Sequence, residues 1–241
     1  MLADRLAQRA DVRVTLSLAG RTQAPLAHSV PTRVGGFGGV DGLVRYLTDE
    51  RVACLVDATH PFAEQISHNA QAAAHRSGIR LIALHRPPWT RQRGDRWMEV
   101  PNVAAAVAAL GATPKRVFVT IGRQGLAALL QSPQHHYWIR TVDPLVPALD
   151  LPHARYIVER GPFAEELERA TLCANAIEIL MAKNSGGAAT YGKIAAARAL
   201  ALPVVLIQRA AGAGDPSAAD SVEGLLDHVV AALEPGIERG V

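Results

Sequence analysis

An α/β fold of two three-layer domains with mainly parallel sheets follows from three features of this 241-residue sequence. Short apolar runs alternate with stretches of helical period along the whole chain. The runs are apolar on both faces, which suits strands of a parallel sheet covered by helices. The strand–glycine–helix layout then starts afresh at "VFVTIGRQGLAAL" (117–129), after "LGATPKR" (110–116) with its helix-ending Gly111 and Pro114. The alternation implies right-handed crossovers. The restart predicts two Rossmann-like domains, 1–113 and 114–241, facing each other across a cleft. Ligands of such sheets bind outside the carboxyl ends of the strands, so the strand ends are where chemistry is sought.

The first strand, 12–18, ends in "SLAGRT", so Ser17, Gly20, Arg21 and Thr22 leave the sheet at the ligand edge. The loop at this place in dinucleotide folds reads the adenosine ribose, and an arginine in place of an acid accommodates a 2′-phosphate. A plain polar turn is the alternative. "RVGGFGGVDG" (33–42) then leads into a helix at 39–49, and its backbone amides suit an anion or only a flexible turn. The strand at 53–59 delivers Asp57, Thr59 and His60, and Pro61 precedes a helix at 63–77. These residues are a functional strand end or a helix-capping system. A strand at 80–86 and a helix at 102–110 complete the first half.

The second half opens with a strand at 116–122, from which Gly122, Arg123 and Gly125 lead into a helix at 124–131. Strands follow at 136–142 and 154–160, the latter ending in Glu159 and Arg160. Pro162 introduces a helix at 163–175 whose "EELER" is a solvated charged face. The strand at 178–183 ends in Lys183, and a helix at 188–201 and a strand at 203–209 come next. "GAGDPSAADS" (212–221) links to a last amphipathic helix, 218–234.

"KNSGGAATYGK" (183–193) stands out because the chain has only three lysines, Lys115, Lys183 and Lys193, and two of them bracket it. Ser185, Gly186 and Gly187 form a turn. Thr190 and Lys193 are three apart and share a helix face, over which Lys183 can fold. Amides, a hydroxyl and two ammonium groups make an anion site. The P-loop pattern is absent, which favours a carboxylate-rich ligand over a nucleoside triphosphate. The alternative is a helix N-terminus with a surface lysine.

Composition excludes other classes. With 49% apolar residues the chain is globular rather than disordered. A net charge of +3 without a dense basic run, and 5% aromatics, argue against nucleic acid as a partner. Cys54 and Cys173 sit in apolar settings and are read as buried thiols without a disulfide. No metal-ligand spacing, no signal peptide and no apolar run near the ~20 residues of a membrane span is present, so a cytoplasmic protein is expected. His135 and His136 are read as surface residues, and Trp89, Trp97 and Trp138 as packing residues.

Taken together, "LSLAGRT", "VGGFGG", "LVDATHPFA", "VTIGRQGL", "VERGPF" and "KNSGG…TYGKIAAARALALPVVLIQR" resemble the precorrin-6A reductase family of cobalamin biosynthesis, cobalt-precorrin relatives included. The resemblance runs over nearly the whole chain. It implies a two-domain Rossmann-like fold with NADPH in the cleft. It also implies reduction of one double bond of precorrin-6A, a macrocycle bearing acetates and propionates, to precorrin-6B. On that basis Arg21 with Ser17 holds the 2′-phosphate, and Gly20, Thr22, Asp57, Thr59, His60 and Gly122 complete the cofactor site. Arg123, Lys183, Ser185, Gly186, Thr190 and Lys193 hold substrate carboxylates, and Lys193 or His60 relays a proton. Neighbouring enzymes of the pathway are possible partners. Family members begin with a further apolar strand and a Gly-Gly-Thr-x-Glu-like loop, whereas "MLADRLAQRADVRV" starts inside the helix that follows, so a longer native product is expected. Two other readings stay open. One is a non-catalytic tetrapyrrole carrier on the same fold. The other is a methyltransferase of the pathway, against which the absence of an acid beside Arg21 speaks.

Overall fold

The computed structural model describes residues 2–20, 28–209 and 218–233. The chain divides into two compact units, Met1–Arg86 with Ala213–Val241, and Pro87–Gly212. The junction therefore falls at 86/87, with a return at 212/213, and not at 113/114. "LGATPKR" is only the connector between a helix and a strand of the same unit.

The first unit contains α1 (Leu2–Leu6), β1 (Leu16–Leu18), β2 (Thr32–Val34), α2 (Gly39–Asp49), β3 (Cys54–Asp57), α3 (Glu64–Ser77), β4 (Arg80–Ala83) and α7 (Val222–Leu233). β1 pairs in parallel with β2, and β3 with β4. Period-two alternation in β3 sorts its side chains between two cores. Cys54 and Val56 join Leu6, Ile82, Leu225 and Val229, under α1 and α7. Leu55 joins Leu43, Leu47 and Ala73, under α2 and α3. α3 stops at Gly78, whose φ of 67° closes the helix by donating to the Ala74 and His75 carbonyls. The expected strand 12–18 keeps only its last three residues. β2 went unforeseen because "TRV" is too short to show a pattern.

The second unit holds β5 (Arg96–Val100), α4 (Val103–Ala108), β6 (Arg116–Thr120), β7 (His136–Thr141), β8 (Ala154–Val158), α5 (Glu165–Ala174), β9 (Ile179–Lys183), α6 (Gly192–Ala199) and β10 (Pro203–Ile207). Its six strands form one parallel sheet in the order β5-β10-β9-β6-β7-β8. Register places Trp97, Val204, Leu180, Phe118 and Trp138 in one row across five strands. That row packs on Trp89, Leu172 and Ile194. Val117, Phe118 and Val119 are wholly buried on both faces, which is why the central strands read as unbroken apolar runs. β5 escaped that reading because it is an edge: in "RWMEV" only Trp97 is buried.

Three smaller expectations are corrected. Residues 126–131 form a 3-10 helix rather than an α-helix. Cys173 is exposed, because it lies on the outer side of α5, while Cys54 is half-buried. His135 is fully buried, and its Nδ1 accepts the Lys115 amide at 3.2 Å. Burial pushes its imidazole below the ordinary histidine pKa. All three tryptophans are packing residues, as expected. Among the described residues no helix is long and apolar enough to cross a membrane.

Candidate active site

In the first unit the strand ends carry three loops. β1 leads to Gly20, whose φ is 73° and whose Cα-side space is closed by Gly35: an added Cβ would lie 3.4 Å from it. The Gly35 amide donates to the Leu18 carbonyl at 2.8 Å, so the exits of β1 and β2 run side by side. Ser17 is exposed within β1. Arg21 and Thr22 lie outside the described residues. Arg33, missed in the sequence, donates to the Gly35 and Gly36 carbonyls and lies 3.9 Å over the Phe37 ring. It fixes the glycine run that enters α2. α2 has Gly38 as its N-cap at φ 79° and no side-chain cap. Its first amides are thus left for an outside acceptor. Asp41, the acid of that first turn, is paired with Arg76 at 2.6 Å.

At the end of β3, Asp57 accepts the Thr59 amide at 3.0 Å, and the Thr59 hydroxyl meets Ser67 at 3.1 Å. His60 is exposed, and its Nδ1 accepts the Phe62 amide at 3.2 Å. Neither Asp57 nor Thr59 caps α3; the N-cap is Ala63, without a side-chain bond. Arg86 reaches back from beyond β4 to donate to the Thr59 carbonyl at 3.0 Å. It holds the loop, and nothing in its local sequence marked it.

In the second unit, Gly122 follows β6 with φ 75°. Arg123 turns to the Pro144 carbonyl at 2.6 Å, tying the β6 and β7 loops together. The loop after β9 is the most constructed part. Asn184 is 2% exposed; its Oδ1 accepts the Trp89 amide at 2.8 Å, and its Nδ2 donates to the Trp89 carbonyl at 3.1 Å. The Trp89 indole donates to Gly187 at 2.9 Å. Arg209 donates to the Asn184 carbonyl at 3.1 Å. Pro87–Trp89 is therefore strapped across the turn. On the turn itself the Ser185 and Thr190 hydroxyls lie 3.4 Å apart. A cavity of about 300 Å³ opens beside it, lined by Trp89, Thr90, Gln92, Ala188 and Tyr191 among others.

Lys193 lies in the first turn of α6 and is 5% exposed, so it is no surface lysine. Its ammonium donates to the Thr190 carbonyl at 2.7 Å and sits 5.0 Å over the Trp89 ring. Thr190 precedes α6, so the two residues meet through a backbone carbonyl rather than by sharing a helix face. Burial, then the nearby Arg140 cation, pulls the Lys193 pKa down to about 8 against the opposing pull of Glu168. Lys183 ends β9 half-buried, and burial lowers its pKa too. Ser185, Gly186, Thr190 and Lys193 thus form one constellation.

The family model described as "Precorrin-6x reductase CbiJ/CobK" matches residues 1–230. The chain belongs to the precorrin-6x reductase family. A precorrin-6A reductase of Rhodobacter capsulatus is 54% identical over 195 residues, covering 81% of this chain and 78% of the relative. One from Sinorhizobium sp is 51% identical over 224 residues, covering 93% and 86%. A solved structure described as "CobK precorrin-6A reductase" superposes with a TM-score of 0.92 at 48% identity, covering 100% of this chain and 94% of that one. Membership in the precorrin-6x reductase family makes the chain an oxidoreductase of cobalamin biosynthesis that needs a reducing cofactor.

Proposed function

We propose that the chain reduces one double bond of precorrin-6A with NADPH, giving precorrin-6B. The observation that carries this reading is the turn before α6, where Ser185, Thr190 and a buried Lys193 converge beside an open hollow with Trp89 and Tyr191 in its lining. The relatives' names supply the substrate, and the turn supplies a means of holding it.

NADPH, when bound, supplies the hydride; the chain binds, orients and tunes charge. Ser17, Gly20, Arg21 and Thr22 hold the adenosine end, with Arg21 on the 2′-phosphate. Asp57, Thr59, His60 and Gly122 are assigned to the remainder of the cofactor. Arg123, Lys183, Ser185, Gly186, Thr190 and Lys193 are assigned to substrate carboxylates and to the charge that changes as hydride arrives. Lys193 carries the main electrostatic role. A desolvated ammonium acts far more strongly on a nearby anion than one in water. His60, exposed at a strand end, is the weaker candidate for moving a proton.

The test is anaerobic turnover with precorrin-6A and NADPH, followed by nicotinamide absorbance and product mass. Oxidation of NADPH with a two-hydrogen mass gain is the expected result. Tight tetrapyrrole binding without NADPH oxidation would replace the reductase by the carrier. A second expected result concerns Arg21→Ala. It should raise KM for NADPH by about 10²-fold, the scale of one charge-assisted phosphate contact, and leave the NADH value nearly unchanged. Equal losses would remove Arg21 from the 2′-phosphate.

A further inference from the structure

Behind Lys193 lies a buried ionic assembly that none of the assigned roles uses. Arg140, on β7, is 7% exposed, and Glu168, on α5, is 2% exposed. The two meet through both guanidinium nitrogens, Nη1 to Oε1 at 2.5 Å and Nη2 to Oε2 at 3.1 Å. Glu159, just beyond β8, adds a second carboxylate 3.5 Å from Nη1. The guanidinium also lies 3.8 Å over the Phe163 ring and 5.0 Å over Phe118. Phe163 in turn is seated on the segment that carries the candidate site. Its amide donates to Ala189 at 3.2 Å. Its carbonyl lies so close to Gly192 that a Cβ there would come within 2.3 Å. A chain of contacts thus runs from the two glutamates through Arg140 and Phe163 to the first turn of α6, one residue from Lys193.

We propose that Arg140 is a positioning residue for Lys193: clamped by Glu168 and Glu159 and stacked on Phe163, it seats the start of α6 and supplies the buried positive charge beside which that lysine must hold its proton. A buried ion pair is a poor source of stability, because desolvation offsets its attraction. Here it does something an apolar pair of equal volume does not: it places a fixed cation and a fixed anion near one lysine. Arg140 lowers, and Glu168 raises, the pH at which Lys193 ionises. The other charged groups on adjoining elements are Glu165, Glu166 and Arg169 on α5, all exposed, Lys183 at the end of β9, and Arg198 on α6 itself, which is held by Asp95 at 2.8 Å. The proposal rests on the reading of Lys193 as a functional cation, and its test separates the two.

With only three lysines in the chain, the protein labelled with carbon-13 at the lysine ε-carbon gives three titrating signals, and Lys193→Met assigns one of them. Wild-type Lys193 is expected to titrate near pH 8. Glu168→Gln should move its midpoint down by about one pH unit, and Arg140→Met should move it up by about as much, leaving Glu168 facing Lys193. Either single variant strands a buried charge, so Glu159→Gln keeps the test open. Glu159 is half-exposed, its loss leaves the Arg140 cation less neutralised beside Lys193, and the midpoint should move down by a few tenths of a pH unit. A Lys193 midpoint unmoved in every variant that folds overturns the proposal. The pH profile of NADPH oxidation is read in parallel. If its basic limb follows the lysine signal, the lysine is a functional cation. If the signal moves and the limb does not, the positioning by Arg140 stands and the functional assignment of Lys193 falls.

Discussion

Lys193→Met is expected to lower kcat/KM for precorrin-6A by about 10²–10³-fold, the usual scale for removing one preorganised charge-stabilising group, and to make the protein more stable. The two effects have one origin. The Lys193 ammonium is buried with a carbonyl and an indole ring for company, and the carboxylate that acts on it, Glu168, is already gripped by Arg140. Its pKa falls from 10.5 to about 8. A lysine whose folded value is depressed opposes folding wherever it is protonated in both states, that is below pH 8. The penalty is on the order of 3 kcal/mol. It fades as pH rises from about 8 towards the unfolded value, since the unfolded chain then binds more protons than the native one. Methionine fills the same volume without the charge. The variant should therefore unfold at a higher temperature than wild type at pH 7, by several degrees, with the gap closing near pH 10. Circular dichroism melts at pH 7 and pH 10, beside steady-state turnover, check both halves. A variant that loses stability and activity together would mean that the lysine serves packing, and the electrostatic role would fall.

Much of the second unit was legible in the sequence for a single reason. Val117–Val119 of β6, Ile179–Ala182 of β9 and Val204–Ile207 of β10 are buried on both faces, so their side chains had to be apolar, and such runs stand out. β5 carries the same hydrogen-bonding role at an edge, where three of its five side chains face water, and it left no such trace. The domain junction was lost with it. Once "RWMEV" is recognised as the partner of β10, with Arg96 opposite Pro203, residues 87–113 cannot belong to the first unit. The return of α7 to the first unit had no local signal either. Its amphipathic pattern announces a buried face, and only the contact of Leu225 and Val229 with Ile82 says which core covers it.

The candidate site divides in the same way. Lys183, Ser185, Gly186 and Lys193 drew notice because lysine is scarce in this chain and glycine pairs interrupt helices. What holds them was not visible, because the supporting residues are distant in sequence. Trp89 and Asn184 are 95 positions apart, and Arg140 and Glu168 are 28 apart. Arg140 reads as one more arginine, following the apolar run Tyr137–Ile139. A charged residue at that place is costly without a buried partner, and this was the one available signal that β7 carried more than packing. Arg33 and Arg86 act through backbone carbonyls, which any sequence offers everywhere, so their roles needed the fold.

Gly186→Ala is expected to damage the second unit severely. Gly186 sits at φ 67°, where a side chain costs about 1–2 kcal/mol in backbone strain alone. A Cβ would also lie 2.1 Å from the Pro87 carbonyl oxygen and 2.8 Å from an Arg209 nitrogen, far inside contact distance. Backbone cannot yield as a flexible side chain does, so the Pro87–Trp89 strap must lift. Lifting it breaks the two Asn184 bonds to Trp89 and the indole bond to Gly187, and leaves Asn184 buried without them. Unsatisfied buried polar groups cost about 1–3 kcal/mol each, so the total loss should reach roughly 4 kcal/mol or more. Gly122→Ala is the matched control. Its φ of 75° carries the same strain, but a Cβ there meets nothing within 4 Å, so only the backbone cost of about 1–2 kcal/mol remains. Denaturant unfolding of the two variants measures the difference, and the fluorescence of Trp89, freed from the Lys193 ammonium and from Tyr191, reports the strap directly. Equal losses in the two variants would show that the strap moves aside freely. Lys193 would then not owe its burial to Trp89, and the depressed pKa on which the first expectation rests would lose its structural cause.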